Sequence, residues 1–149
     1  MRKFPLMGFD VAARSAIIYD DGMERFTGTT LEGIGQSVLG VMQHPKETAN
    51  RFLKVRSIHT CQNDLLDAFQ SATGQQWDVR RSTTKALIES GTSKYKNGNG
   101  GWVLDLVVAQ LFDLGEARCV VASYREESDS DLLGVKEESP RDVVAKALA

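Results

Sequence analysis

The sequence is poor in the residues that most site chemistry requires. It holds two cysteines, two histidines and three prolines, and aromatic residues make up 7% of it. Cys61 and Cys119 stand alone with no CxxC pairing, so neither a disulfide framework nor a zinc site is expected. Both are read as reduced intracellular thiols. His44 and His59 belong to no HxxxH or HExxH pattern, which leaves a hydrolytic triad or a zinc centre without support. Charge of one sign is also missing. The formal net charge is −2, and no basic stripe interleaves with aromatics, which argues against nucleic acid as a partner. Long apolar runs are absent too. The most apolar stretch, Trp102 to Leu114, is about half of what a membrane helix needs and contains Asp105 and Asp113. The opening stretch, Met1 to Arg14, is broken by Pro5, Gly8 and Asp10 before a signal-peptide core can form. A cytoplasmic protein without membrane or nucleic-acid contacts is expected.

What is present is an ordinary globular composition, 42% hydrophobic and 26% charged over 149 residues. That suits one domain, 1–149, with a core of its own. Ser15 to Tyr19 reads as a strand. Asp20-Asp21-Gly22 then reads as a hairpin turn, with Glu24 to Thr27 as the return strand. Thr29 with Glu32 makes a capping box. It opens a helix whose apolar face is Leu31, Ile34, Val38, Leu39 and Met42, and Pro45 ends that helix. Phe52 to Arg56 alternates like a strand. Thr60 caps a second helix carrying Leu65, Leu66, Phe69 and Ala72, and Gly74 closes it. Gln76 to Arg80 alternates again, so residues 52 to 80 read as a strand–helix–strand unit. Ser82 or Thr83 caps a third helix, and Asn97 to Gly101 is a glycine loop. Trp102 to Leu114 is read as a buried helix, with a pair of strands as the alternative. Glu116 to Asp131 is expected to be irregular, and Ser139-Pro140 starts the last helix.

Several motifs fail on inspection. Gly33-Ile34-Gly35 lacks the full GxGxxG and falls inside a helix, so close packing explains it better than phosphate binding. The loop Asn97 to Gly101 precedes a helix without a Walker lysine–hydroxyl pair. It is read as flexible, with an active-site lid as the alternative. Ser82-Thr83-Thr84-Lys85 matches S-x-x-K without its companion elements and reads as a helix cap. Asp129-Ser130-Asp131 lacks the ligands of a calcium loop, and Glu126 to Asp131 reads as a solvated acidic loop. No metal is expected. His59, placed between a strand and a helix cap, lies where ligand loops of α/β proteins occur.

One ordered series rises above this background. Asp20-Asp21-Gly22 and Phe26 are followed by Gly33-Ile34-Gly35 and by His44-Pro45-Lys46-Glu47-Thr48-Ala49-Asn50-Arg51. Cys61-Gln62-Asn63-Asp64-Leu65-Leu66 and Thr73-Gly74 come next. In order and spacing this resembles the NmrA-like and isoflavone-reductase-like branch of the atypical short-chain dehydrogenases. Plant members of that branch carry a GDG turn, a DIG helix start, a DPRTLNK-type segment and an S-x-NEL helix ending at glycine. The resemblance covers residues 15 to 80, and the remainder is similar to fungal members. Gly33 replaces the aspartate of DIG, and His44-Pro45 replaces DP.

The resemblance implies an α/β fold: the substrate-side segment of an NAD(P)-binding, Rossmann-type fold whose Rossmann half is absent. It implies an NADP(H)-dependent oxidoreductase, in secondary metabolism, acting on a small-molecule carbonyl or conjugated alkene. The cofactor loop and the catalytic lysine of such reductases belong to the missing half, so this chain is expected to be inactive alone and to supply no catalytic or cofactor-binding residue. Candidate substrate-pocket residues are His59, Trp102 and Phe112, with core packing as the competing role for the last two. Rival readings are a non-catalytic redox-linked regulator of the NmrA type and an inactive truncated product. If one half is missing, the Leu31–Met42 helix, the Phe52–Arg56 strand and Trp102–Leu114 should leave apolar surface open. The chain should then self-associate or dock onto a Rossmann half.

Overall fold

The computed structural model describes residues 7–149. Residues 1–6 of the opening stretch lie outside the described residues. Strand β2 (Ser15–Tyr19) organises the fold. It is paired antiparallel by the short β1 (Phe9–Asp10) and parallel by β5 (Asp78–Ser82), giving the order β1-β2-β5. A second, two-stranded sheet joins β3 (Phe26–Gly28) to β4 (Ile58–Thr60) in antiparallel register, with Phe26 opposite Thr60 and Thr27 opposite His59. The α/β class is as expected, with a mixed sheet.

Side chains of β2 alternate between two cores, as period-2 geometry requires. Ala16 and Ile18 pack with Phe9, Phe69, Trp77 and Val144. Ile17 and Tyr19 face Phe26, Val108 and Phe112. Helix α3 (Gln62–Thr73) covers the first core and is crossed by α6 (Pro140–Leu148). Helix α4 (Thr84–Lys96) and helix α5 (Trp102–Phe112) form a helical hairpin, and α5 covers the second core.

β1 is too short to satisfy all of β2. The chain turns away at Gly8, whose φ of +89° suits glycine, and a Cβ there would sit 2.4 Å from the Ile17 carbonyl oxygen. The fully buried amide of Gln62 takes over at that point. Its oxygen accepts from the Tyr19 N–H (2.9 Å), and its nitrogen donates to the carbonyls of Ile17 (3.0 Å) and Met7 (3.1 Å).

The structure corrects several expectations. Asp20-Asp21-Gly22 turns the chain but makes no hairpin, because β3 pairs with β4 and not with β2. The turn is held instead by α3, through Asn63 N–H to Gly22 O (3.1 Å) and Asn63 Nδ2 to Asp21 O (3.0 Å). Phe52–Arg56 is extended but belongs to no sheet. Side chains of the 129–130 turn replace a ladder: Asp129 Oδ2 accepts from Lys54 N–H (2.9 Å), while Ser130 Oγ accepts from Arg56 N–H (3.0 Å) and donates to Arg56 O (2.8 Å). Ser130 is therefore fully buried, and this part of the acidic loop is structural rather than solvated. Residues 52 to 80 are not a simple strand–helix–strand unit, since β4 and β5 lie in different sheets. Thr60 ends β4, and Cys61 is the cap position of α3.

Helix α1 (Leu31–Gln43) forms as expected, capped by Thr30 rather than Thr29, and a short helix α2 (Pro45–Thr48) follows it. The apolar face of α1 is left open, as the missing-half reading expects. The buried positions are Gly33 and Gly40, while Leu31, Ile34, Val38, Leu39 and Met42 are all exposed. The inward side is glycine in close contact: a Cβ on Gly40 would lie 2.4 Å from Leu133 O and 2.6 Å from its Cα. α5 is likewise buried on one side only, through Val108, Ala109 and Phe112, with Val103 and Val107 in solvent. Local signals held elsewhere. Gly74 closes α3 at φ +62°, Thr83 caps α4, and Ser139 with Asp142 forms a capping box on α6.

Two predictions follow from this packing. Gln62→Leu leaves one buried donor and two acceptors without partners, each costing about 1–3 kcal/mol. Urea unfolding should show a loss of at least about 2 kcal/mol, and a near-neutral result would remove Gln62 from its bridging role. Gly40→Ala should destabilise by about 1–3 kcal/mol through overpacking. Gly35→Ala on the same helix has nothing within 4 Å of the added Cβ and should stabilise by about 0.5–1 kcal/mol. Equal effects at the two sites would contradict the close packing at Gly40.

Candidate functional site

In open α/β sheets ligands gather at the carboxyl ends of parallel strands. Here the carboxyl ends of β2 and β5 carry Asp20 and Thr83–Thr84. The Asp20 carboxylate accepts from Thr84 Oγ1 (2.7 Å) and from the Thr84 N–H (3.4 Å), while Asp20 N–H donates to Ser82 O (2.9 Å). The corner is thus closed by its own hydrogen bonds. The residues do not fit a dinucleotide. Where a pyrophosphate needs converging N–H groups at a helix start, this corner presents Asp20 and Asp21. The glycine loop fits no better. Gly101 precedes α5, but the first turn holds Asp105, already bound by Lys94 (2.7 Å) and Ser90 (2.8 Å). In the S-x-x-K segment Thr83 Oγ1 accepts from Ala86 N–H (3.1 Å), a capping role.

His59 lies in the middle of β4, half-buried, and not in a loop after a strand. It stands opposite Thr27, so alternation puts it on the face of the β3–β4 pair away from Phe26 and Thr60. Burial pushes its pKa below the ordinary histidine value, and the nearby charges of Arg56 and Arg25 add to this, against Glu137 and Asp64. The ring is therefore neutral at neutral pH, able both to accept and to donate one hydrogen bond.

Arg56, which sequence reasoning passed over, is buried beside it. Nη2 pairs with Glu137 (3.1 Å), Nη1 donates to Ala122 O (3.4 Å), and the buried Nε has no partner among the described residues. Arg125 shares Glu137 at 2.7 Å and also pairs with Asp131. The sequence signals only an alternating segment that ends at Arg56, with nothing that marks the guanidinium as buried.

The three residues expected to face a substrate line none of the three clefts described below. Phe112 is 2% exposed, stacked on Tyr19 at 5.8 Å and edge-on to Phe26 at 5.8 Å. Trp102 is half-buried and edge-on to Tyr95 at 5.1 Å, about 15 Å along α5 from Phe112 at the helical rise. Three surface clefts are lined by other residues. A polar one of about 340 Å³ lies between α3 and the start of α6, with Asp64, Asp67, Ser139 and Arg141. An apolar one of about 210 Å³ is walled by Phe9, Leu65, Phe69 and Val144. A second apolar groove, about 270 Å³, runs beside α1 along Val38, Met42, Leu53, Val55 and Leu133. Cys61 is buried, which raises its thiol pKa, and it is not paired with Cys119. Among the described residues no three His, Cys, Asp or Glu side chains converge to hold a metal, and no helix is long and apolar enough to cross a membrane.

No family model matches the sequence. The chain is 66% identical over 148 residues to Oxidoreductase poxI of Penicillium oxalicum, a match covering 99% of this chain and 47% of that protein. It is 33% identical over 73 residues to Oxidoreductase aprR of Aspergillus flavus, covering 49% of this chain and 25% of that one. The chain thus spans about half the length of the first relative. Among solved structures, a nucleoside-diphosphate-sugar epimerase from Staphylococcus aureus shares the fold. The TM-score is 0.59 at 15% identity, over 90% of this chain and 44% of that one.

The His59 environment makes a pH prediction. Its folded pKa is depressed, so as pH falls through the ordinary histidine range the unfolded chain takes up a proton that the folded chain refuses. Stability present above that range is then lost. Urea unfolding at about pH 7.5 and about pH 5.5 should show a smaller loss for His59→Gln than for the native chain. Equal losses would mean that His59 titrates alike in both states.

Proposed function

We propose that these residues are the substrate-side portion of an NADP(H)-dependent oxidoreductase of the NmrA-like and isoflavone-reductase-like group, cytoplasmic and serving secondary metabolism. The observation that carries this reading is the match to Oxidoreductase poxI, close along nearly the whole of this chain yet confined to 47% of that protein. The ordered series of short motifs from Asp20 to Gly74 supports the same group. On this reading residues 1–149 are the C-terminal region, and the dinucleotide-binding half, with the catalytic group, lies in the rest of the longer protein. His59 would offer a neutral hydrogen-bonding ring to a small polar substrate, while Trp102, packed on Tyr95, and Phe112, packed on Tyr19 and Phe26, would act through the core rather than by contact.

Calorimetric titration of NADPH into the 149-residue chain should give no binding, and micromolar affinity would overturn the division proposed. A single polypeptide joining this chain to the unmatched portion of the Penicillium relative should bind NADPH. Failure of that fusion to bind, once shown to be folded by circular dichroism and cooperative melting, would count against an NADP(H) oxidoreductase of either kind.

A further inference from the structure

Helix α1 is amphipathic the wrong way round for a chain standing alone. Its inward side is Gly33 and Gly40, which let the backbone rest on Ser57 and Leu133. Its outward side is Leu31, Val38 and Met42 at i, i+7 and i+11, flanked by Ile34, Leu39 and Val41, all exposed. Leu31 is 88% exposed and Met42 74%. Gly35 falls between them with nothing within 4 Å, a notch in the middle of the face. No charged residue interrupts this surface, since Glu32, the only charge on α1, is engaged by Lys146 of α6. The groove of about 270 Å³ continues the face sideways onto Leu53 and Val55. Solitary apolar residues on a surface are ordinary, but a contiguous uncharged patch with its own groove is the signature of an interface.

We propose that this face, α1 with the groove along Leu53 and Val55, is the seat on which the dinucleotide-binding half docks; this rests on the two-part reading of the preceding section. Length identifies the occupant. The Penicillium relative matches this chain over 47% of its length, and the Staphylococcus structure over 44% of its own. Each therefore carries a second portion of comparable size. A surface this apolar and this free of charge resembles a domain core cut in two, the character of permanent contacts rather than transient ones. A second copy of this chain would have to bring the same convex helix face against itself. A separate half is not bound by that symmetry and can bring a different surface to the groove and the Gly35 notch.

The test uses the 149-residue chain and the unmatched portion of the Penicillium relative as a second polypeptide, with sedimentation and calorimetry as readouts. A one-to-one complex should form, and Val38→Asp should weaken it about a hundredfold or more by burying an unpaired charge. Asn99→Asp, which adds the same charge in the exposed glycine loop, should leave it unchanged. A complex indifferent to Val38→Asp would overturn the assignment of this face while leaving the two-part reading intact. A dimer of this chain alone, broken by Val38→Asp and not displaced by the second polypeptide, would overturn the proposal in favour of self-association. Should the second polypeptide not fold, oxidative footprinting of Met42 decides in the single-chain fusion. At least about tenfold slower oxidation than in the isolated chain is expected on burial, and equal rates would overturn the proposal. NADPH binding by the same fusion reports separately on the function.

Discussion

The buried amide of Gln62 is the contact on which the arrangement of both cores depends. β2 is the shared wall between them, yet its β1 neighbour accompanies it only through Ala16, with one further bond from Ile17 N–H to Gly8 O. Beyond that point two polar backbone groups of β2 would face an apolar interior. A glutamine at the start of α3 can meet both at once, because its amide carries an acceptor and donors on one flat group, as a peptide of a neighbouring strand would. The bond to Met7 O then ties the incoming chain to the same place. One side chain thus sets the end of β1, the seat of α3 and the height at which Tyr19 meets Phe112.

A similar substitution of side chain for strand occurs at residues 54–56. Asp129 and Ser130 supply the hydrogen bonds a ladder would have supplied, so the segment is extended without being a strand. The buried carboxylate of Glu24 does the same for the loop after α5, accepting from Gly115 N–H (2.6 Å) and Ala117 N–H (2.8 Å). Much of the region after residue 113 is irregular for this reason. Ahead of α6 its order comes from isolated polar anchors to Glu24, to Thr27 of β3 and to residues 54–57.

These anchors explain what could and could not be read from sequence. Ser15–Tyr19, the helix after Thr83, the glycine stop at Gly74 and the Ser139–Asp142 cap were legible because each is decided within a few residues by period, φ or capping geometry. Strand pairing was not, because Asp-Gly at residues 21 and 22 signals a turn without saying what the next strand will pair with. α1 was legible in its period and in the close packing at Gly33, and its open apolar face followed only from the missing-half reading, not from the period. A helical period finds an apolar stripe but cannot tell whether the stripe or the glycines face inward, and here backbone contact at Gly33 and Gly40 wins. Of the candidate site, His59 was legible as a residue but not its strand position or its buried cation. Arg56 and its partner Glu137 are 81 residues apart, and no local pattern couples them.

Arg56 also bears on what kind of site this chain can build. A buried guanidinium is held by Glu137, which Arg125 shares, so its charge is balanced by a network rather than a single partner. Its field still reaches His59 and helps to keep the imidazole neutral. A histidine in that setting is a poor anion receptor and a useful neutral hydrogen-bonding group. Cys61, two residues on, is buried with a raised pKa, and at the far corner the hydroxyls of Thr83 and Thr84 are committed to Ala86 and Asp20. The carboxyl ends of β2 and β5 present acid where a cofactor phosphate would need N–H groups. What the surroundings of His59 offer is recognition: a neutral ring that accepts and donates one hydrogen bond, beside a buried cation balanced by Glu137.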